Sequence, residues 1–278
     1  MSVFKKRLTA LGLVLFLSFS VSLAHAKRAA GRKSSGSGVT AKAYVIVDAE
    51  TGRILYGKNP DLKLPPASTT KVMTVLIARQ ELSMKKTIVI GRLAADVPPS
   101  KAGLTPGAAY KVEDLIKAAL VSSSNDAAVA LAEAVAGSER EFANRMNLKA
   151  RQLGMNDTFF VNATGLTDKR RKQYTTAYDL TKLMRAAVKD KTLDDLMEII
   201  ETTISGSDGK MIPLRAHNKM LWKTPKFIKG KTGYTNASLH TFVGTDYSSN
   251  KSITFAILSS QKPWTDIERV VKIGLSHL

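Results

Sequence analysis

Strand-like sequence stands at both ends of this chain and helix-like sequence fills its middle, so its main sheet has to be assembled from segments that meet only after most of the chain has folded. Ala43 to Val47 is apolar and rich in β-formers, Asp48-Ala49-Glu50-Thr51-Gly52 is a turn sequence, and Arg53 to Tyr56 resumes a strand, which predicts a hairpin. Near the other end, Thr241 to Thr245 and Ser252 to Leu258 read as adjacent strands with Asn250-Lys251 in the turn, and Asp266 to Leu278 as a closing helix. Between them, Pro65-Pro66 stops regular structure. From Ser68 onward Val72, Met73, Val75, Leu76 and Ile77 make a helix apolar on nearly all sides, which belongs at the centre of a domain. Residues 84–113 read as short strands and loops. Helices are expected from Val112 to near Val121, from Ala127 to Val135, over 138–153 (stopped by Gly154), and from Thr175 to Lys189. The expected fold class is α/β (α+β): an antiparallel sheet flanked by helices, plus an all-α subdomain inserted at about residues 85–190.

The first 26 residues stand outside that plan. Lys5, Lys6 and Arg7 precede an apolar run from Leu11 to Leu23, about a dozen residues and too short to span a bilayer comfortably. Ala24-His25-Ala26 then resembles a cleavage site, so 1–26 reads as a secretory signal peptide and Lys27 as the first mature residue. Residues 27–39, basic and Gly/Ser-rich, read as a flexible leader, and 40–278 as the catalytic domain. The expected location is exported, in the periplasm or cell-wall space. The chain has no cysteine, which a domain with a core of this size does not need and which removes thiol nucleophiles and thiolate metal sites. Its net charge is +19, or +16 without the three basic residues of the signal. Export argues against nucleic acid as the partner of that charge. Weak contact with anionic surfaces, phospholipid headgroups or acidic wall polymers, is the expectation instead. No integral membrane segment is expected after signal cleavage.

Three short motifs carry the chemistry: Ser68-Thr69-Thr70-Lys71, Ser123-Ser124-Asn125 and Lys231-Thr232-Gly233. Ser-x-x-Lys alone says little, since it also begins at Ser2, Ser83, Ser207, Ser248 and Ser259, and Ser-x-Asn recurs at Ser248. Context selects among them. Only Ser68 opens a buried helix, only Ser123 lies between helical segments of the middle, and Lys231 is expected at the entrance to a strand pair. Ser68 and Lys71, three apart, share a helix face. A serine hydroxyl becomes a nucleophile when a neighbouring base takes its proton. Lysine is such a base only when neutral, and burial or a second cation, here Lys231, makes it so. Free N–H groups at the helix start, with the N–H of Tyr234, would form an oxyanion hole. Ser123 is assigned a proton relay between Lys71 and a leaving amine, and Asn125 a hold on the substrate amide. The competing structural reading makes Ser123, Asn125 and Asp126 caps of the alanine-rich helix. Lys231 and Thr232 are assigned a carboxylate, with Gly233 permitting close backbone approach. No metal and no cofactor are called for. His217, His240 and His277 sit in no nucleophile or metal motif and read as structural or exposed.

With those residues in place, the chain resembles the serine-type D-alanyl-D-alanine carboxypeptidases, the low-molecular-mass penicillin-binding proteins. The similarity runs from about Ala43 to Leu258, through YVIVDAETGRILYGKNPDLKLPPASTTKVMT, SSSNDAAVALAEAVAGS, LGMNDTFFVNATGL, YTTAYDLTKLM and KGKTGYT. The resemblance implies a penicillin-recognising serine transpeptidase/β-lactamase-like fold acting on peptidoglycan stem peptides. Ser68 would attack the D-Ala-D-Ala peptide bond and form an acyl-ester as the terminal D-alanine leaves, Lys71 would be the base, and Ser123 and Asn125 would assist. Lys231, Thr232, Gly233 and Tyr234 would bind the carboxylate and oxyanion. β-Lactams would acylate Ser68 and inhibit. The chain stops at Leu278, about where larger members begin a C-terminal β-domain and anchor helix, so neither is expected. Asn236 to His240 stands where many members carry a Gly-aromatic pair. No clear counterpart is found to the arginine some members present on the next strand, Lys262 being the candidate substitute.

Three other activities compete. A D,D-endopeptidase cutting cross-links would use the same residues. A class A β-lactamase needs a glutamate before the last motif, and the loop from Asn156 to Asp179 has Asp157, Asp168 and Asp179 but no glutamate. A non-catalytic wall-binding homologue would keep the fold and leave the site unused.

Overall fold

A computed structural model describes residues 38–223 and 227–278. The signal-peptide reading of 1–26 and nearly all of the leader reading of 27–39 lie outside the described residues. Strands β1 (Ala43–Asp48) and β2 (Ile54–Lys58) lead through a 3₁₀ turn (Ala67–Thr70) into α1 (Lys71–Glu81). Then follow β3 (Thr87–Val89), α2 (Arg92–Asp96), β4 (Ala109–Lys111), α3 (Val112–Leu120), α4 (Asn125–Ala136), α5 (Glu139–Gln152), α6 (Ala177–Ala187) and α7 (Lys191–Leu196). A hairpin of β5 (Glu201–Ser205) and β6 (Met211–Arg215) and the short α8 (Met220–Lys223) precede β7 (Ile228–Thr235), β8 (Leu239–Asp246), β9 (Ile253–Ser260) and α9 (Pro263–Leu275).

The main sheet is antiparallel throughout, in the order β2-β1-β9-β8-β7, so the two ends of the chain meet where β1 pairs with β9. The pleat explains why AYVIVD is apolar without alternation. Ala43, Val45 and Val47 enter the core beneath the helices, while Tyr44 and Ile46 enter a second core with Ile267 and Val270 of α9. Val72 to Ala78 of α1 are all buried, because α3, α4, α5 and α6 surround that helix. α6 also packs on β1, β8 and β9, tying the helical layer to the sheet. Asp48 accepts from Glu50 N (3.1 Å) and Thr51 N (2.7 Å), and Gly52 at φ +78° completes the first turn.

Two expectations need correction. The helix expected from Ser68 begins as the 3₁₀ turn, and the α-helix proper starts at Lys71. Lys231 does not stand at the entrance to a strand pair: it is inside β7, whose pairing with β8 makes a third strand beside the two expected. IKGKTGYT has two glycines, five cationic or hydroxylated residues and no apolar face, so nothing in its pattern announces a strand, and cross-strand pairing supplies what propensity lacks. The β5–β6 hairpin, α7 and α8 also went unannounced, for the same want of periodic apolar sequence.

Candidate active site

The three motifs converge on one cleft of about 600 Å³, lined among others by Ser68, Ser123, Asn125, Thr232, Gly233 and Tyr234. The 3₁₀ turn presents Ser68 at its mouth, half-buried, and puts Lys71 one turn below it, fully buried. Ala67, at φ +49°, sets the entry of the chain into that turn. On the other side stands the edge strand β7. A Cβ at Gly233 would lie 2.7 Å from Ser68 N and 2.4 Å from Thr241 Oγ1, so only glycine lets the strand pass against the Ser68 backbone. The close approach assigned to Gly233 is therefore made first to the protein itself. The loop after α5 closes the floor. Gly165, at φ +84°, passes so near the 3₁₀ turn that a Cβ would stand 1.8 Å from Ala67 O.

Lys71 Nζ donates to Ser68 Oγ (2.9 Å), Asn125 Oδ1 (2.7 Å) and Thr164 O (2.9 Å). Burial drives its pKa well down, Lys231 adds to the effect, and Asp126 and Glu139 oppose it. A neutral amine keeps two hydrogens and gains one lone pair. Thr164 O can only accept, and Asn125 presents its oxygen because its Nδ2 is committed to Pro98 O (2.8 Å). The lone pair therefore faces the Ser68 hydroxyl, the one partner able to donate. Lys231, 1 % exposed, donates to Ser123 Oγ and to Thr232 O, both at 2.8 Å, and burial lowers its pKa to about 7.

The second motif differs in detail from expectation. Ser123 bonds Lys231, and it is Asn125 that bonds Lys71. Neither caps: Ser124 is the N-cap residue of α4 and makes no side-chain cap bond. Ser123 takes φ +59° to aim its hydroxyl across the cleft. Other residues hold the walls. Asp126, fully buried, accepts from the N–H groups of Ala102 (3.0 Å), Gly103 (2.8 Å) and Leu104 (3.1 Å), pinning the loop whose Pro99 and Ser100 line the cleft. Glu139 accepts from Ala163 N (3.0 Å), and Asn162 Oδ1 from Gly165 N (2.8 Å), which hold the floor. His217 and His240, read as structural or exposed, both border the cleft. Desolvation at the cleft wall and the two lysines lower the pKa of His217, and His240 lies against Tyr234 with ring centroids 4.7 Å apart and planes tilted by 42°. His277 lies away from it against Tyr56. Lys262, exposed beside the start of α9, does not line the cleft. Sequence proximity could have flagged Asp126, which follows Ser-Ser-Asn directly, but nothing in the sequence flagged Gly165 or His217.

Residues 29–262 match the family model described as D-alanyl-D-alanine carboxypeptidase. The chain belongs to that family. It is a serine D,D-peptidase, with the serine, both lysines and the Ser-x-Asn segment in one cleft. Over 265 residues it is 31% identical to the D-alanyl-D-alanine carboxypeptidase DacF of Bacillus subtilis, covering 94% of this chain and 67% of that protein. Over 274 residues it is 32% identical to the D-alanyl-D-alanine endopeptidase of Escherichia coli, covering 95% and 86%. Among solved structures, a D-alanyl-D-alanine carboxypeptidase from Mycobacterium tuberculosis superposes with a TM-score of 0.80 at 26% identity, over 86% of this chain and 92% of that one. The Streptomyces K15 DD-transpeptidase shares the fold, with a TM-score of 0.79 at 24% identity over 86% and 98%.

Proposed function

We propose that this serine D,D-peptidase is an exported carboxypeptidase that removes the terminal D-alanine from peptidoglycan stem pentapeptides. The observation that carries the mechanism is the lone pair of Lys71, which has only the Ser68 hydroxyl to face. The terminal carboxylate is held by Lys231 and Thr232. The penultimate carbonyl oxygen points at the N–H groups of Ser68 and Tyr234, which stabilise charge as it develops there. Ser68 Oγ bonds the carbonyl carbon as its proton passes to Lys71 Nζ. Collapse breaks the C–N bond, the proton on Lys71 passes by way of Ser123 Oγ, held ready by Lys231, to the leaving amine, and D-alanine departs with Lys71 neutral again. Water then attacks the ester, Lys71 takes its proton, and Ser68 recovers the hydroxyl. A β-lactam follows the first half of this path and stays on Ser68. The apolar run and Ala-x-Ala site of residues 1–26 support export to the periplasm or cell-wall space. Among the described residues no helix is long and apolar enough to cross a membrane.

A second reading, the D,D-endopeptidase, is favoured by the near end-to-end match to the Escherichia coli enzyme. One experiment separates them: the purified protein and its Ser68→Ala variant are incubated with pentapeptide-containing, cross-linked peptidoglycan and the products are weighed by mass spectrometry. Ser68-dependent loss of one D-alanine establishes the carboxypeptidase. Conversion of cross-linked dimers to monomers without that loss establishes the endopeptidase. No Ser68-dependent change leaves a wall-binding protein.

A further inference from the structure

A second groove, of about 620 Å³, adjoins the catalytic cleft and shares His217 with it. Arg215, His217, Lys219, Trp222 and Lys223 line it, and no carboxylate does. Arg215 and Lys223 each meet one exposed acid outside the groove, Glu201 (3.2 Å) and Glu268 (2.7 Å), while Lys219 has no carboxylate partner among the described residues. The chain's two tryptophans stand here as well. The Arg215 guanidinium lies 4.5 Å from the ring centroid of Trp222, which is 42% exposed. Lys219 Nζ lies 6.0 Å from the ring centroid of Trp264, which lines the cleft. Each ring carries a cation, so flat apolar area and positive charge are presented together.

Position assigns the groove to one end of the substrate. Ala216 N donates to Ile200 O (2.8 Å), His217 N to Val121 O (3.2 Å) and Asn218 Nδ2 to Ile228 O (2.9 Å). These bonds fix the groove's inner wall between the segment that leads to Ser123 and the first residue of β7. Along β7, Ile228 comes before Lys231 and Thr232, the residues assigned to the terminal carboxylate, and these come before Gly233, which passes the Ser68 backbone. The groove therefore lies on the leaving-group side of the scissile bond, beyond the carboxylate. D-Alanine ends at that carboxylate and has no atom to place there. An occupant of the groove that is also a substrate has a larger leaving group.

We propose that this groove binds a peptide leaving group bearing free carboxylates, so that the cleft cuts the amide joining D-alanine to the amine of a second peptide as well as releasing terminal D-alanine. The proposal rests on the D,D-peptidase reading of the cleft and names a leaving group for that same site. Arg215 and Lys219 bind the carboxylates, and Trp222 and Trp264 cover the aliphatic part of the peptide. The bond chemistry is unchanged: the C–N bond breaks, the leaving amine takes the proton passed on from Lys71, and water later frees the acyl group from Ser68. Contacts remote from the scissile bond raise kcat/KM for the longer leaving group. Salt screens the exposed cations and keeps the preference moderate.

The test uses one acyl donor with three leaving groups: D-alanine, a peptide joined through a side-chain amine with its carboxylates free, and the same peptide with the carboxylates beyond the amine-bearing residue amidated. At low salt the full protein is expected to cleave the free-carboxylate form with a kcat/KM about tenfold above the amidated form, and the difference is expected to shrink as salt rises. Arg215→Gln/Lys219→Gln is expected to abolish the difference while D-alanine release and penicillin labelling of Ser68 stay at the wild-type level. Equal cleavage of the two peptide forms by the wild-type protein overturns the proposal, as does a difference that survives in the double variant. Release of D-alanine with both peptide forms left intact also overturns it and leaves the carboxypeptidase standing. If nothing is cleaved and no penicillin is bound, the peptidase reading fails and binding alone judges the groove. Because Trp222 and Trp264 are the chain's two tryptophans, intrinsic fluorescence reports that binding directly. Titrating the Ser68→Ala protein with the free leaving-group peptide is expected to give a saturable change that Arg215→Gln/Lys219→Gln removes, and no change overturns the proposal. A response to peptide-free N-acetylglucosamine oligomers, with none to the peptide, assigns the groove to glycan and refutes the peptide.

Discussion

Asn125→Asp changes the electrostatics of the site with almost no change of shape, and it tests the claim that Lys71 works as a neutral base. Asn125 Oδ1 lies 2.7 Å from Lys71 Nζ, so a carboxylate there faces the amine directly. At that distance and an effective dielectric of about 20 the gross attraction is roughly 6 kcal/mol. Much of it is lost, because the new carboxylate is buried (Asn125 is 2 % exposed) and meets Pro98 O where the amide nitrogen had donated. What survives is a rise in the Lys71 pKa of about 1–3 units, the range for a carboxylate beside a cation. The sign follows from the base role: the protonated fraction of Lys71 grows, so acylation falls below the new pKa and recovers above it. At a fixed pH on the rising limb the loss is about 10- to 1000-fold, tenfold per unit. The assay is the second-order rate of Ser68 labelling by a fluorescent penicillin across the neutral to alkaline range. Asn125→Leu is the control, since it loses the hydrogen bond without adding charge and leaves the limb where it was or moves it to lower pH. Superimposed profiles for wild type and Asn125→Asp would refute the neutral-lysine reasoning, and so would a shift toward acid.

Three further outcomes follow from the same geometry. Gly165→Ala forces a Cβ to within 1.8 Å of Ala67 O at a φ of +84°, so the loop must move off the nucleophile's turn; the expected cost is about 3 kcal/mol or more, read as a lowered Tm, together with slower penicillin labelling, and a variant as stable and as reactive as wild type contradicts it. Asp126→Asn replaces one accepting oxygen with a donor that faces the N–H groups of residues 102–104, costing about 2–4 kcal/mol, and hydrogen exchange should accelerate at Ala102, Gly103 and Leu104 before it does in the sheet. Lys231 titrates at about 7 when folded against 10.5 when unfolded, so above pH 7 the unfolded chain binds a proton the folded one lacks and stability climbs with pH through that window, the burial penalty being full below it. Denaturant melts of wild type and Lys231→Met at successive pH values should show that slope in the first and its loss in the second, and parallel slopes would dispose of the argument.

The candidate site was legible in the sequence because its motif residues are few and their order is unusual: Ser68 and Lys71 come together through local spacing, and the buried character of the helix that follows is written in Val72 to Ile77. It also announced most of the longer helices and the apolar strands near the two ends of the chain, as at Glu139–Gln152 and Ile253–Ser260. Other features were decided only in three dimensions. β7 exists because β8 pairs with it, since its own side chains show no strand pattern. The exchange of partners, Asn125 to Lys71 and Ser123 to Lys231, depends on a positive φ at Ser123 and on the width of the cleft, which no spacing encodes. The depressed basicity of both lysines comes from burial by helices and strands distant in the chain. Covalent spacing sets which groups lie within a helical turn of each other, whereas desolvation, close backbone approach and strand register are properties of surfaces that meet only when the two ends of the chain are brought together.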